Sequence, residues 1–358
     1  MTTQTLTYPA ASTLESLLTE ARERIQVTEA ELTEARSRRD DIGEAMLAEF
    51  PGSRIYVNGS IAHGDALTPL TDVDVGVVVA GAERTHGPGK RGCSDLQERA
   101  ANAIRAHLKA KYGDLAVEVK NRKRSILVRF RDPVTPGQVD FTADVIVALD
   151  YVGGVGLYIP RYDGWDRSAP EQHTLMVRKA NETSKVNYAR VVRLLKHWNR
   201  RNGKPLCSWH IKALALGCLT GRTTQLTGLL RWFRYAIAQL SQGDTHDPAR
   251  VAKDPIKTNV TRTQAIDKLR KALDRLERAI ALQDAGYPAL AHDELAKLFN
   301  DEQMLPRPDQ NAVRIEEAVR LTKQQATDTK AIGAPALLTG VGAGMTQPRT
   351  NSRSWGTR

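Results

Sequence analysis

The chain has 358 residues, of which 41% are hydrophobic and 26% charged, so it is long enough for two packed domains or lobes of an ordinary globular protein. Lys and Arg (52) outnumber Asp and Glu (41), and the formal net charge of +11 favours polyanionic ligands such as nucleotides, nucleic acid or a membrane surface. The sequence shows no signal-peptide pattern, no apolar run near the ~18 residues of a membrane span, and no disulfide or zinc spacing among its three cysteines. We therefore expect a protein of a reducing cytoplasm, with no membrane partner.

The first 52 residues are predicted to be helical. Two capping boxes, Ser12 with Glu15 and Thr28 with Glu31, each precede apolar residues at helical spacing. Pro51-Gly52 ends the second helix. We expect both helices to pack against the rest of the chain.

Residues 53–79 combine the features of a phosphate site and a metal site. A short apolar run ends in Gly59-Ser60, where the glycine lets a ligand approach the backbone and the serine adds a hydroxyl. Asp72 and Asp74 stand two apart at the start of a predicted strand, so both carboxylates point to one face. Paired carboxylates suit hard cations such as Mg²⁺. The alternative is a solvated acid pair at the entrance to a strand.

A helix and further strands are predicted next, and they supply a third acid. The Gly-rich residues 80–92 lack the spacing of a P-loop and are predicted to connect to a helix that opens at Ser94. Asp144 lies in an apolar strand, where a carboxylate is costly unless it is paired or bound to metal. Asp140, nearer the start of that strand, is the alternative third ligand. Alternating apolar residues predict strands over residues 115–120, 125–131 and 139–149.

The second half of the chain is predicted to be mostly helical. Residues 157–173 are aromatic and rich in turn formers, which predicts a loop. Ser208 is a candidate cap for one of the helices that follow. Residues 331–358 are rich in Gly, Thr, Ser and Ala, which predicts a flexible tail. Helical patterns cover about residues 171–202, 208–219, 226–240, 261–282, 293–299 and 311–325.

Further motifs follow in order along the chain: Ile159-Pro160, Trp165, Ser168 to His173, Leu194 to Trp198 and Ser208-Trp209. Together with Gly59-Ser60, Asp72/Asp74 and Asp144, they resemble the cGAS/DncV-like nucleotidyltransferases (CD-NTases) of bacterial CBASS anti-phage defence. These enzymes are relatives of cyclic GMP-AMP synthase and 2′-5′-oligoadenylate synthase within the polymerase-β-like superfamily. The chain departs from the family pattern at Gly64-Asp65, where the family has Gly-Thr, and at Val147, where a proline is common.

The resemblance implies an α+β fold in which a polymerase-β-like nucleotidyltransferase lobe, a mixed sheet with helices, packs on an α-helical lobe. The implied division has four parts. They are N-terminal helices packing on both lobes (residues 1–52), a catalytic core (53–155), a helical nucleotide-binding lobe (156–330) and a flexible C-terminal tail (331–358).

The resemblance also implies a role for each matching residue. Gly59 and Ser60 would hold the triphosphate of a nucleotide, with Lys196 and Ser208 contacting phosphates from the helical lobe. Trp209 would stack on a base. Asp72, Asp74 and Asp144 would be the catalytic residues and would bind two Mg²⁺ or Mn²⁺ ions. If the resemblance is set aside, each helical-lobe residue has an ordinary structural interpretation. Lys196 is typical of a solvated helix face, Ser208 is typical of a helix cap, and Trp209 is typical of an aromatic residue in a core.

The implied activity is that of a cyclic oligonucleotide synthase in a bacterial cytoplasm. It would join ATP and/or GTP into a cyclic di- or trinucleotide messenger, release pyrophosphate and so activate a separate effector protein. Some family members are conjugated through the C-terminus by a ubiquitin-like E1/E2-type partner, which the tail would suit. One alternative is a nucleotidyltransferase that modifies RNA or protein. The other is an inactive nucleic-acid-sensing module, and direct binding of nucleic acid stays open.

Overall fold

The computed structural model describes residues 13–332 apart from residues 120–123, 136 and 163, and for residues 327–332 it describes the backbone alone. The chain divides into two compact units, Met1–Val313 and Arg314–Arg358. The sheet and most of the helices belong to the first unit. In the second unit a helix continues to Ile332, and Arg320 pairs with Glu317 on its surface at 2.8 Å.

One mixed sheet forms the first layer of the larger unit. Its strands are β1 (Arg54–Asn58), β2 (Asp72–Val78), β3 (Ala116–Glu118), β4 (Ile126–Arg129), β5 (Thr142–Asp150), β6 (Leu157–Arg161) and β7 (Gly164–Ser168). Five strands run in the order β1-β2-β5-β4-β3, and the hairpin of β6 and β7 continues from the C-terminal end of β5. Strands β2 and β5 are parallel neighbours, while β1 and β4 pair with them in antiparallel fashion.

Some helices pack against this sheet, and those of the second half of the chain form most of a separate helical layer. Those of the first half are α1 (Leu14–Arg24), α2 (Glu29–Glu49), α3 (Gly59–His63), α4 (Glu83–His86) and α5 (Ser94–Leu108). Those of the second half are α6 (Pro170–Ser184), α7 (Asn187–Arg201), α8 (Ser208–Cys218), α9 (Gln225–Gln242), α10 (Arg262–Asp284), α11 (Pro288–Phe299) and α12 (Gln310–Ile332).

Helices α2 and α5 pack on the sheet and make its hydrophobic core. Val75 of β2 and Val145 of β5 point from the pleated strands toward Ile42 of α2 and Ile104 of α5, and all four side chains are buried. Burial of each such side chain contributes about 1.5–3 kcal/mol to folding. This core fixes the parallel pair β2 and β5, which carries the acids discussed below.

A second core lies among the helices of the second half. Helix α7 is strongly amphipathic, and its Leu194, Leu195 and Trp198 pack with Trp232 and Phe233 of α9. Helix α1 joins this helical core, whereas α2 joins the core of the sheet. The α+β architecture of a mixed-sheet lobe packed on a helical lobe is therefore confirmed.

The capping box at the start of α2 is confirmed. Thr28 Oγ1 accepts a hydrogen bond from Glu31 N (3.2 Å), and Glu31 Oε2 accepts one from Thr28 N (2.8 Å). Helix α1 begins one residue later than predicted, because Thr13 caps it by accepting from Ser16 N. Ser12, the predicted cap, lies outside the described residues.

The prediction of a loop over residues 157–173 is wrong. Residues on both sides of the turn pair as the antiparallel hairpin of β6 and β7, and α6 begins at Pro170. Pro160 lowers the strand propensity of this segment, but at the periphery of a sheet a residue without an amide proton is tolerated. The predicted tail lies outside the described residues after Ile332, where α12 ends. Among the described residues, no helix is both long enough and apolar enough to cross a membrane.

Candidate active site

Three acids converge because of the parallel register of β2 and β5. Asp74 lies opposite Asp144, and Asp72 lies opposite Thr142. Side chains two apart on a strand share a face, and residues in register on neighbouring strands share it as well. Asp72, Asp74 and Asp144 therefore project from one face of the sheet. Asp140 precedes the first residue of β5, so the strand register does not bring it beside Asp74.

The pKa of Asp74 is consistent with three carboxylates lying close together. Burial, together with the nearby carboxylates of Asp72 and Asp144, raises the pKa of Asp74 to about 6. Asp144 is held from one side, because Ser125 Oγ donates a hydrogen bond to its Oδ1 at 2.8 Å. Converging carboxylates are the donors that Mg²⁺ takes, so this acid set fits a divalent cation. Within the described residues, however, no three His, Cys, Asp or Glu side chains already stand close enough to hold one ion together.

Gly59 brings the Gly59-Ser60 turn directly against this acid set. Helix α3 begins at Gly59 immediately after β1, whose last residue, Asn58, pairs with Asp74. The φ angle of Gly59 is +77°, and a Cβ at this position would lie 1.8 Å from Asp74 Oδ2. Only glycine permits both the backbone conformation and the close approach. Ser60 follows as a half-buried residue that faces the same cleft.

A cleft of about 1050 Å³ lies between the sheet and the helical lobe. Its walls include every predicted site residue except Asp144: Gly59, Ser60, Asp72, Asp74, Lys196, Ser208 and Trp209. A cavity of this size lies at the upper end of the usual range of small-molecule sites, ~300–1,000 Å³. Asp72 and Asp74 contribute negative charge to the sheet side of the cleft, and Lys196 and Arg200 contribute positive charge from α7.

Ser208 does not cap its helix, which corrects that alternative. Cys207 is the cap residue of α8, and its Sγ accepts from His210 N at 3.4 Å. Ser208 is the first helical residue and is exposed to the cleft. Its hydroxyl is thus available to an anion.

Trp209 and Trp198 occupy different environments. Trp198 is 2% exposed and packs edge-on against Phe233 in the helical core. Trp209 is half-buried, lines the cleft and lies with its ring centroid 4.2 Å from that of His173. His173 Nε2 is hydrogen-bonded to Asp247 Oδ1 at 2.6 Å. No local pattern marks Asp247, which lies 74 residues from its partner His173 along the chain.

Asp65 does not face the cleft as a free acid. It is fully buried, and its Oδ1 accepts from Lys196 Nζ at 2.7 Å while Lys212 Nζ lies 3.0 Å from its Oδ2. Burial alone would raise the pKa of Asp65, but the two ammonium groups lower it to about 2. Asp65 is therefore charged and paired.

Comparison with solved structures identifies the fold. CdnC of Escherichia coli MS115-1, in its complex with HORMA-deltaN, aligns over 80% of this chain and 96% of its own, with 18% identity and a TM-score of 0.61. The Bradyrhizobium diazoefficiens CD-NTase CdnG in complex with GTP aligns over 86% of this chain and 100% of its own, with 13% identity and a TM-score of 0.60.

The chain has a CD-NTase fold of the polymerase-β-like type. The same fold extends to the MgGTP-bound Cid1 poly(U) polymerase, which aligns over 74% of this chain and 94% of its own, with 13% identity and a TM-score of 0.51. No family model and no curated protein sequence matches the chain. At such low identities the CD-NTase likeness concerns the fold, and the function has to be argued from the site.

Proposed function

We propose that this protein is a nucleotidyltransferase that joins ATP and/or GTP into a cyclic di- or trinucleotide and releases pyrophosphate. The observation that carries the proposal is that Asp72 and Asp74, beside Gly59-Ser60, line the same cleft as Lys196 of α7 and Ser208 and Trp209 of α8. A nucleotide needs sites for its phosphates, its base and its reacting hydroxyl, and this cleft offers candidates for each.

The residues of the cleft would bind different parts of a nucleotide, according to their chemistry. The backbone and hydroxyl of Gly59-Ser60, the ammonium group of Lys196 and the exposed Ser208 would bind the triphosphate. Trp209 would stack on a base, an interaction worth about 1–3 kcal/mol. If the cleft held two nucleotides at once, the hydroxyl of one would lie near the α-phosphate of the other. The reaction would then be faster than between two nucleotides that meet by diffusion, because the reacting groups are already aligned.

The acids Asp72, Asp74 and Asp144 would hold the divalent cations. Bound Mg²⁺ or Mn²⁺ would favour ionisation of the attacking hydroxyl and neutralise charge on the phosphates. The raised pKa of Asp74 supports this role, because crowded carboxylates without a cation are electrostatically unfavourable. Gly59 fixes the distance between the triphosphate turn and Asp74 by excluding any side chain between them.

The biological setting follows from the proposed product. A cyclic nucleotide made in a bacterial cytoplasm would act by binding a separate effector protein, as in anti-phage signalling by CD-NTases. Conjugation of the C-terminus by an E1/E2-type partner is a further proposal, and the residues it concerns lie beyond Ile332, outside the described residues.

Product analysis tests the proposal. The protein is incubated with labelled ATP and GTP, alone and together, with Mg²⁺ or Mn²⁺, and the mixture is treated with phosphatase before mass analysis. We expect a small phosphatase-resistant cyclic species. Label found only in RNA or protein would favour the rival nucleotidyltransferase, and nucleic-acid binding without any turnover would favour the inactive sensor.

A further inference from the structure

Asp65 and two lysines form a buried ion cluster beneath the cleft. Asp65 belongs to the loop between α3 and β2, whereas Lys196 and Lys212 come from α7 and α8 of the helical lobe. The side chain of Asp65 is 0% exposed, that of Lys212 is 5% exposed and that of Lys196 is 11% exposed. Both lysines nevertheless reach the wall of the cleft. We call Asp65, Lys196 and Lys212 the floor cluster.

Asp65 fixes Lys196 through two separate hydrogen bonds. Lys196 Nζ donates to Oδ1 of Asp65 at 2.7 Å and to its backbone oxygen at 2.8 Å. An ammonium group has three donors, so one N–H of Lys196 stays free of Asp65 and can face the cleft. Because two N–H bonds of Lys196 Nζ are held by Asp65, the direction of the third N–H bond is restricted as well.

The loop that carries Asp65 is itself held in place. Arg193 of α7 donates to the backbone oxygens of Gly64 (2.7 Å) and Ala66 (3.0 Å), on either side of Asp65. The position of the carboxylate is therefore set by the same helix that carries Lys196.

The floor cluster carries surplus positive charge. Lys212 Nζ lies 2.8 Å from His63 Nδ1, which accepts its hydrogen bond, so the proton of this imidazole is on Nε2, facing Thr174 Oγ1 at 3.2 Å. Burial and the neighbouring Lys212 lower the pKa of His63 to about 3, so this histidine is neutral. Burial lowers the pKa of Lys212, and the carboxylate of Asp65 opposes this shift and so favours the charged form. One carboxylate thus faces two ammonium groups, which gives the floor cluster a net charge of one positive.

We propose that Asp65 is a positioning residue for the triphosphate: it fixes the ammonium group of Lys196 toward the cleft and balances the charge of the neighbouring Lys212. This inference rests on the proposed function and deepens it. Removal of the carboxylate would leave two buried ammonium groups facing each other, which disfavours the charged form of both.

The test uses the substitution Asp65→Asn, which keeps the shape and removes the charge. Binding of a non-hydrolysable ATP analogue and of adenosine is measured separately, together with thermal unfolding. We expect binding of the ATP analogue to weaken by at least about tenfold, since a buried charge pair loses one partner, while adenosine binding changes little. Loss of both affinities in equal measure would mean a merely structural role and overturn the inference.

The double variant Asp65→Asn/Lys212→Met keeps the test valid if the single variant does not fold. Its cluster carries the same net charge of one positive as the unmodified protein, so we expect thermal stability to return. Because Lys212 also lines the cleft, the reference is Lys212→Met alone, and we expect the double variant to bind the ATP analogue more weakly than this single variant. If the two bind the analogue equally tightly, Asp65 only neutralises Lys212 and the inference alone fails. If the unmodified protein binds neither ligand, the proposed function fails.

Discussion

The carboxylate of Asp74 occupies the space that a side chain at Gly59 would need. A Cβ on Gly59 would lie 1.8 Å from Asp74 Oδ2 and 2.7 Å from its Cγ. The turn proposed to bind the triphosphate and the strand proposed to bind metal are therefore in direct contact. A substitution at Gly59 should therefore affect both triphosphate binding and metal binding.

Gly59→Ala is expected to reduce nucleotide turnover by about 100-fold or more, because the methyl group would displace the Asp74 carboxylate by an ångström or more. Steady-state pyrophosphate release measures the effect. Gly64→Ala is the matched control: its φ is +70°, so alanine is equally strained there, but its Cβ would meet nothing within 4 Å. Equal loss in both variants would assign the effect to backbone strain and contradict the account.

Asp144→Asn is expected to lower kcat by about 100-fold or more, because a lost cation ligand removes several kcal/mol of transition-state stabilisation. Asp140→Asn, four residues earlier in the sequence, is expected to retain most of the activity, since Asp140 lies outside the register that pairs Asp144 with Asp74. The same turnover assay compares the two variants. The reverse ranking would make Asp140 the third ligand.

Trp209→Ala is expected to weaken nucleotide binding by about 1–3 kcal/mol and to lose less folding free energy than a fully buried tryptophan would, because its half-buried ring lines the cleft. Trp198→Ala is the contrasting variant, expected to lose about 3–5 kcal/mol of folding free energy through a core cavity. Equilibrium binding and chemical unfolding of both variants separate the two roles. A Trp209 variant that binds normally but unfolds easily would make Trp209 a core residue.

Glu31 is expected to make the stability of the sheet lobe depend on acid pH. Burial alone would raise the pKa of Glu31, but hydrogen bonds from Thr135, Thr28, Leu70 and Thr68 together lower it to about 2. Because this value lies below the ordinary 4.5, the contribution of Glu31 is complete above about pH 4.5 and is lost as the pH falls toward 2.

Glu31→Gln is expected to lower the free energy of unfolding by about 1–3 kcal/mol at neutral pH, since one carboxylate oxygen becomes an NH2 donor and the remaining acceptor carries no charge. Urea unfolding at pH 7 and at pH 3 measures the change, and the deficit should shrink at the lower pH. Glu29→Gln, on the exposed first turn of the same helix, is the control and should behave like the unmodified protein. A deficit that is independent of pH would contradict the assignment.

Local signals in the sequence were sufficient for several elements of this structure. The capping box of Thr28 and Glu31 involves residues three apart, so the pattern itself specifies the contact. The period of two in β2 was enough to place Asp72 and Asp74 on one face of that strand, whereas the position of Asp144 beside them depends on the pairing of β2 with β5. The hairpin of β6 and β7 was missed because residues 157–173 are rich in turn formers, Pro160 among them, and turn formers favour a loop as readily as a hairpin.

The floor cluster could not be predicted from the sequence. Asp65 and Lys196 lie 131 residues apart, and no local pattern reports that a loop acid will be buried against two helices. The sequence marked Asp65 only as a departure from the Gly-Thr of the resembled family. Its pairing depends on how the helical core packs on the sheet lobe, which is a property of the whole fold.

The most direct test of the central claim is pyrophosphate release from ATP and GTP by the unmodified protein and by Asp74→Asn, assayed with Mg²⁺ or Mn²⁺ alongside the cyclic product. The account predicts that the unmodified protein forms pyrophosphate and cyclic product in proportion to each other. For Asp74→Asn it predicts that both rates fall by about 100-fold or more. Thermal unfolding checks that the variant is folded. A folded Asp74→Asn protein that releases pyrophosphate at the unmodified rate would contradict the account.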